Sequence, residues 1–125
     1  MNIPQDLLYS RSHEWVRKEG SGALIGITDY AQKELGDLVF INLPNADDQV
    51  NKGEAFADVE SVKAVSDVIS PVSGIISEVN EALLDQPEQM NRDPYGAWIA
   101  RLKDVSGLED LLSPDQYREF VEKES

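Results

Sequence analysis

The residues that could do chemistry collect in one decapeptide, Val59-Glu60-Ser61-Val62-Lys63-Ala64-Val65-Ser66-Asp67-Val68. Two extended runs meet there with no Gly, Pro or Asn at the join. A tight turn must therefore be built from Ser61, Val62, Lys63 and Ala64, which are not favoured turn residues. A conflict between local preference and required shape is one mark of a functional position. What the tip offers is a primary amine. A lysine ammonium has an ordinary pKa of about 10.4 and is a poor nucleophile until an enzyme removes its proton. Acylation would abolish the charge and leave a neutral amide on a long stem. Ser61 and Ala64 leave room around the amine, and Glu60 and Asp67 set carboxylates on both sides for a basic enzyme surface to read. The plain alternative is an exposed lysine on an ordinary hairpin.

Composition narrows the remaining chemistry. With no cysteine there are no disulfides, thiolate ligands or Cys nucleophiles, so any redox work must come from an attached group. One histidine, His13, rules out a His-rich metal site and leaves only carboxylates for a hard cation. The net charge of −13 repels nucleic acid and anionic membranes and suits partners with basic docking surfaces, unless it serves solubility alone. No apolar run approaches the roughly 20 residues that span a bilayer. Met1 to Gln5 carries neither a secretory nor a transit pattern, so the expected location is the cytoplasm, or the mitochondrial matrix for a trimmed eukaryotic chain.

The elements that must position the decapeptide are mostly short strands. At 125 residues the chain is expected to form one domain. His13 to Lys18 and Ala23 to Thr28 flank Glu19-Gly20-Ser21-Gly22 as a hairpin. Thr28 caps a short helix over Asp29 to Leu35, and Gly36 stops it. Strands follow at Asp37 to Leu43, at Glu54 to Glu60 with Ala55, Ala57 and Val59 inward, at Val65 to Ser70, at Ile75 to Val79 and at Trp98 to Leu102. Pro44 to Asp48 reads as a polar loop. Ser106 with Glu109, and Ser113 with Gln116, each have capping-box spacing, and Pro114 suits a first helical turn. A C-terminal helical segment over about 107–124 is expected. Gly36 to Asn42 and Gly74 to Asn80 share a Gly, an aliphatic strand and a closing Asn, a faint repeat that would put 61–64 between two related sheets.

The run Glu60-Ser61-Val62-Lys63-Ala64 with Ser66-Asp67, then Ser70-Pro71-Val72-Ser73-Gly74 and Glu78-Val79-Asn80-Glu81-Ala82-Leu83, resembles the lipoylation signature of glycine cleavage H proteins. Ser12-His13-Glu14-Trp15-Val16, Gly26 to Gln32, Leu35-Gly36-Asp37, Leu43-Pro44 and Asn91 to Gly96 agree with it. Val62 and Ala64 flank the lysine, unlike the methionines usual in biotin carriers. One departure is visible, since Gly96-Ala97-Trp98 is a residue short of the family pattern and implies a tightened loop.

The resemblance implies a mainly β fold, a lipoyl/biotinyl-type barrel-sandwich hybrid of two small antiparallel sheets with the two helices above. It implies a carrier with no turnover of its own, bearing lipoic acid in amide linkage on Lys63. Such a carrier takes an aminomethyl group from glycine decarboxylase, a pyridoxal-phosphate enzyme, to the aminomethyltransferase, and electrons to dihydrolipoyl dehydrogenase. A lipoate ligase or octanoyltransferase would attach the arm. By the same likeness Ser12, Glu14 and Asp67 lie near the aminomethyl end of a docking groove, and Ile27, Ala31 and Leu35 line its apolar stem. From the residues alone, Glu14 could equally be a solvated strand residue and Ile27 and Leu35 ordinary core. His13 is given no chemistry. Two other functions stay open: a relay handing lipoyl or octanoyl groups to other carriers, and an acidic interaction domain that is never modified.

Overall fold

The computed structural model describes residues 1–124. Nine strands alternate with short helices: β1 (Leu8–Tyr9), β2 (Glu14–Glu19), β3 (Gly22–Ile27), α1 (Asp29–Leu35), β4 (Leu38–Asn42), β5 (Gln49–Val50), β6 (Ala55–Ser61), β7 (Val65–Ile69), β8 (Ser73–Val79), α2 (Ala82–Asp85), α3 (Gln89–Arg92), β9 (Ala100–Ser106) and α4 (Pro114–Glu124). They form a six-stranded sheet in the order β1-β2-β3-β9-β8-β5 and a three-stranded sheet in the order β4-β6-β7. Every pairing is antiparallel. The architecture is the expected mainly β, two-sheet one. The two repeat-like strands β4 and β8 fall in different sheets.

Apolar side chains between the sheets, among them Val16, Ile25, Ile41, Val59, Ile76 and Leu102, form the main core. A second cluster lies on the other face of β2 and β3, where Tyr9, Trp15, Leu24, Tyr117 and Val121 pack under α4. Strand alternation explains why Glu14, Trp15 and Val16 are all buried. Trp15 points to the second cluster, so Glu14 and Val16 point between the sheets. The Trp15 indole covers Gly26 across the ladder, where a Cβ would come within 2.7 Å of the ring. Its Nε1 donates to the Pro94 carbonyl at 3.0 Å.

Several boundaries differ from the sequence reading. His13 stands outside β2 with φ of 74°, a left-handed conformation, so the strand begins one residue later, at Glu14. Ala55 is exposed, because a register shift between Ala55 and Ala57 breaks the alternation at the start of β6. The last strand begins at Ala100 rather than Trp98 and runs on to Ser106. Residues 107–113 are not helical. Gly107 turns with φ of 88°, and Leu112 pairs with Tyr9 as an isolated bridge. Only the second capping box forms: Gln116 N–H donates to Ser113 Oγ, and Ser113 N–H donates to Gln116 Oε1. At the shortened loop, the Asp93 carbonyl accepts from both Gly96 N–H and Ala97 N–H. No helix among the described residues is long and apolar enough to cross a membrane.

Candidate functional site

The β6–β7 turn solves its missing turn residue with a hydroxyl. Ser61 N–H donates to the Ala64 carbonyl at 2.8 Å and closes the turn. Ser61 Oγ accepts from the amides of Lys63, at 3.2 Å, and Ala64, at 3.1 Å. Ser61 is therefore the turn former here, contrary to the reading of all four residues as ill suited. Its side chain stands in for a backbone acceptor in the manner of Ser/Thr turns. Val62 N–H donates to the Asp37 carbonyl at 3.0 Å, which pins the tip to the segment after α1.

Lys63 is exposed at this tip. Its stem leans over the end of α1: a Cβ added at Gly36 would sit 3.5 Å from Lys63 Cε. Gly36 terminates α1 with φ of 82°, and its N–H donates to the Gln32 carbonyl. Asn91 holds this corner from below. Its Nδ2 donates to the Gly36 carbonyl and to Gln32 Oε1, while its Oδ1 accepts from Leu38 N–H.

A groove of about 290 Å³ lies between α1 and β7 beside the start of β2; Lys63 itself does not line it, and the lining residue nearest to it along β7 is Ser66. The side of α1 bearing Ala31 and Leu35 forms one wall, and Val59, Ser66 and Val68 form the other. Ile27 belongs both to the groove and to the buried core. β7 leaves the tip at Val65, and its last residue, Ile69, reaches Glu14, with the Ile69 N–H 3.4 Å from Glu14 Oε2. Four strand steps of about 3.3 Å separate Val65 from Ile69, so the start of β7 at the tip stands roughly 13 Å along the strand from the residue that reaches Glu14.

The far end is polar. Glu14 is only 3% exposed, and its Oε1 accepts from the hydroxyls of Ser10 and Ser12. Burial raises its pKa from 4.5 to about 7, and those hydroxyls with the Ile69 amide only partly offset the loss of water. Glu14 is not a solvated strand residue. Ser12, Glu14, Ile27, Ala31, Leu35 and Asp67 thus line one groove. Asp67 is an exposed member of its rim, register partner of Asp58 on β6.

The matches to known proteins span both the hairpin and the groove. The family model for the glycine cleavage H-protein matches residues 7–124. The chain belongs to the glycine cleavage H-protein family. A glycine cleavage system H protein of Lachnoclostridium phytofermentans is 56% identical over 125 residues, covering 99% of this chain and 98% of that one. One of Rubrobacter xylanophilus is 54% identical over 123 residues, covering 98% and 97%. A crystal structure of an H protein from Mycobacterium marinum superimposes with a TM-score of 0.85 at 39% identity, covering 98% of each chain.

In this H-protein groove several contributors went unread in the sequence. Tyr30 and Glu34 line it beside Ala31 and Leu35. Their spacing of one and four residues is a helical signal that was available. Ser10, which shares the Glu14 carboxylate with Ser12, sits two residues before it. Glu124 carried no local signal, because only tertiary packing brings the end of α4 to the groove mouth. His13 links the two: Nδ1 lies 2.8 Å from Tyr117 Oη and Nε2 lies 2.9 Å from Glu124 Oε2. Among the described residues, no group of three or more His, Cys, Asp or Glu side chains is placed to hold a metal ion.

Proposed function

We propose that this chain is the lipoyl-bearing carrier of a glycine cleavage system, modified on Lys63 and without turnover of its own. It would shuttle the aminomethyl group from glycine decarboxylase to the aminomethyltransferase, and electrons to dihydrolipoyl dehydrogenase. The observation that carries this reading is the exposed Lys63 on the hairpin whose strand β7 walls a half-apolar groove that holds a buried carboxyl. Family membership supports it at the level of the system.

The residues fit lipoic acid in three respects. The Lys63 amine is reachable without unfolding. Ile27, Ala31 and Leu35 offer apolar walls for a hydrocarbon chain. The chain has no cysteine, and lipoic acid supplies a redox-active disulfide whose sulfur can hold a one-carbon group. Lys63 would anchor the arm, the three apolar residues would cover its stem, and Glu14 with Ser12 would face its end. Asp67 would stand at the rim.

Glu14 holds or gives up a proton near neutrality, so a cation brought beside it would favour the carboxylate. Ser10 and Ser12 hold that carboxyl in place. The apolar walls keep water from the stem. Burying each methylene contributes about 0.8 kcal/mol, and ordering the rotors of the arm offsets much of that. The docked state is therefore weak enough for a partner enzyme to draw the arm out, as shuttling requires.

Intact mass and peptide mapping test the proposal directly. Protein from lipoate-replete cells is expected to carry a lipoyl-sized increment confined to the peptide containing Lys63. Persistent absence of that increment would reject the carrier role and favour an unmodified interaction domain. Lipoylated protein that glycine decarboxylase cannot load would leave only the relay function.

A further inference from the structure

The outer face of the three-stranded sheet carries an apolar cluster that the fold does not use. Val62 at the tip is 70% exposed, Val65 69%, Val39 54% and Phe40 45%. The ladder aligns Phe40, Glu60 and Val65 side by side across β4, β6 and β7. Val39 is added by the register shift between Leu38 and Phe40. Val62 and Val65 thus lie within two residues of Lys63, and Phe40 and Val39 lie on the strand beyond Glu60, on a surface where burial would contribute to binding and exposure contributes nothing to folding.

The same face is acidic. Asp58 and Asp67 are direct register partners, and Glu60 follows Asp58 two residues along β6, so all three carboxylates share one face. Like charges directly opposite in a ladder destabilise a sheet. Among the described residues none of the three forms an ion pair with a basic side chain; Asp58 accepts from Asn42 Nδ2, at 3.4 Å. A cationic partner would relieve that repulsion.

We propose that this face is the docking surface for the enzyme that acylates Lys63, which presents an apolar contact framed by basic residues. The assignment rests on the carrier reading above. Distance selects this enzyme over the others of the system. To acylate Lys63, an enzyme must take the amine itself into its active site and therefore close on side chains within one lysine stem of the tip. Enzymes that work at the far end of a mounted arm need not touch Val62 or Val65. In the acylation step the Lys63 ammonium first gives one proton to a base of the enzyme, and the neutral Nζ then forms the amide C–N bond to the acyl carbon. The acyl C–O or C–S bond of the activated lipoyl or octanoyl donor breaks, and the leaving alcohol or thiol takes the second Nζ proton. The apolar cluster would align the tip, and the carboxylates would draw the two proteins together, an attraction that salt weakens.

The test is steady-state acylation of the full chain by a purified lipoyl-attaching enzyme, with the carrier concentration varied. The double variant Phe40→Ser/Val65→Ser is expected to raise the carrier KM about tenfold with kcat little changed, as loss of central apolar contacts does. Thermal unfolding should confirm that it folds. Leu84→Ser removes an equally exposed apolar side chain from α2 and is expected to leave KM unchanged. Added salt should raise the KM of the parent chain more than that of Asp58→Asn/Asp67→Asn. An unchanged KM in the folded double variant would overturn the assignment. So would normal acylation with slowed loading by glycine decarboxylase, or a parent chain that dimerises through this face. Failure of the parent chain to be acylated at all would instead reject the carrier reading itself.

Discussion

Glu14 is a carboxyl whose charge the fold makes costly. Its pKa is raised from 4.5 to about 7, so between those values the folded protein binds more protons than the unfolded one. Stability from this group is fully present below about pH 4.5 and is lost as the pH rises through 7. The cost of ionised Glu14 at pH 8 is roughly 3 kcal/mol, at 1.36 kcal/mol per pKa unit. Glu14→Gln removes that ionisation while keeping an acceptor for the Ser10 and Ser12 hydroxyls. The variant is expected to be more stable than the parent at pH 8 and to lose that advantage by pH 5, measured by urea unfolding across the range. A gain that is the same at both pH values would refute the buried-charge account. If Glu14 also faces the carried amine, the variant should hasten loss of the aminomethyl group from isolated loaded protein and leave lipoylation intact. Unchanged decay would remove Glu14 from that role.

At the scale of the element, the β6–β7 hairpin depends on one hydroxyl. Ser61 Oγ serves the amides of Lys63 and Ala64, which otherwise have only solvent at the tip. Ser61→Ala is expected to destabilise the protein by about 1 kcal/mol, the usual worth of such a bond. Amide exchange should quicken at residues 63 and 64 and be unaltered in β9. If exchange at the tip is unchanged, the hydroxyl is not what shapes the turn. α1 plays the complementary part. Thr28 Oγ1 accepts from Ala31 N–H at its start, and Asn91 fixes the Gly36 carbonyl at its end. The wall of the groove is thereby held from both sides.

Across the whole molecule, α4 is tied to the groove through buried aromatic contacts. Tyr117 stacks on Tyr9 with ring centroids 4.6 Å apart, and its hydroxyl lies 2.7 Å from Thr28 Oγ1 and 2.8 Å from His13 Nδ1. Through Thr28 the same residue touches the cap of α1. Tyr117→Phe keeps the stacking and removes the hydroxyl, and is expected to cost about 1–2 kcal/mol. Exchange should quicken in α4 and in the first turn of α1 together, read by native-state hydrogen exchange. Quickening in α4 alone would show that the helix is not coupled to the groove.

What the sequence determined by itself was local. The span of α1, its Thr28 cap and Gly36 stop depend on neighbours a few residues apart, and so does the hairpin that exposes Lys63. The family motifs then joined Ser12, Glu14, Ile27, Ala31, Leu35 and Asp67 to that lysine by resemblance. Other features needed the folded chain. Ser106 and Glu109 have capping-box spacing, yet Ser106 closes β9 and Leu112 pairs with Tyr9, so the segment between them is not helical. β1 and β5 have two residues each and exist only because longer strands accept them. The state of Glu14 was beyond any local pattern, because a carboxyl's pKa follows from the water it loses when distant strands close over it. Glu124 at the groove mouth and the carboxylates facing each other on β6 and β7 have the same origin. Periodicity and caps are set by bonds along the chain, whereas burial and charge environment are set by which parts of the chain meet.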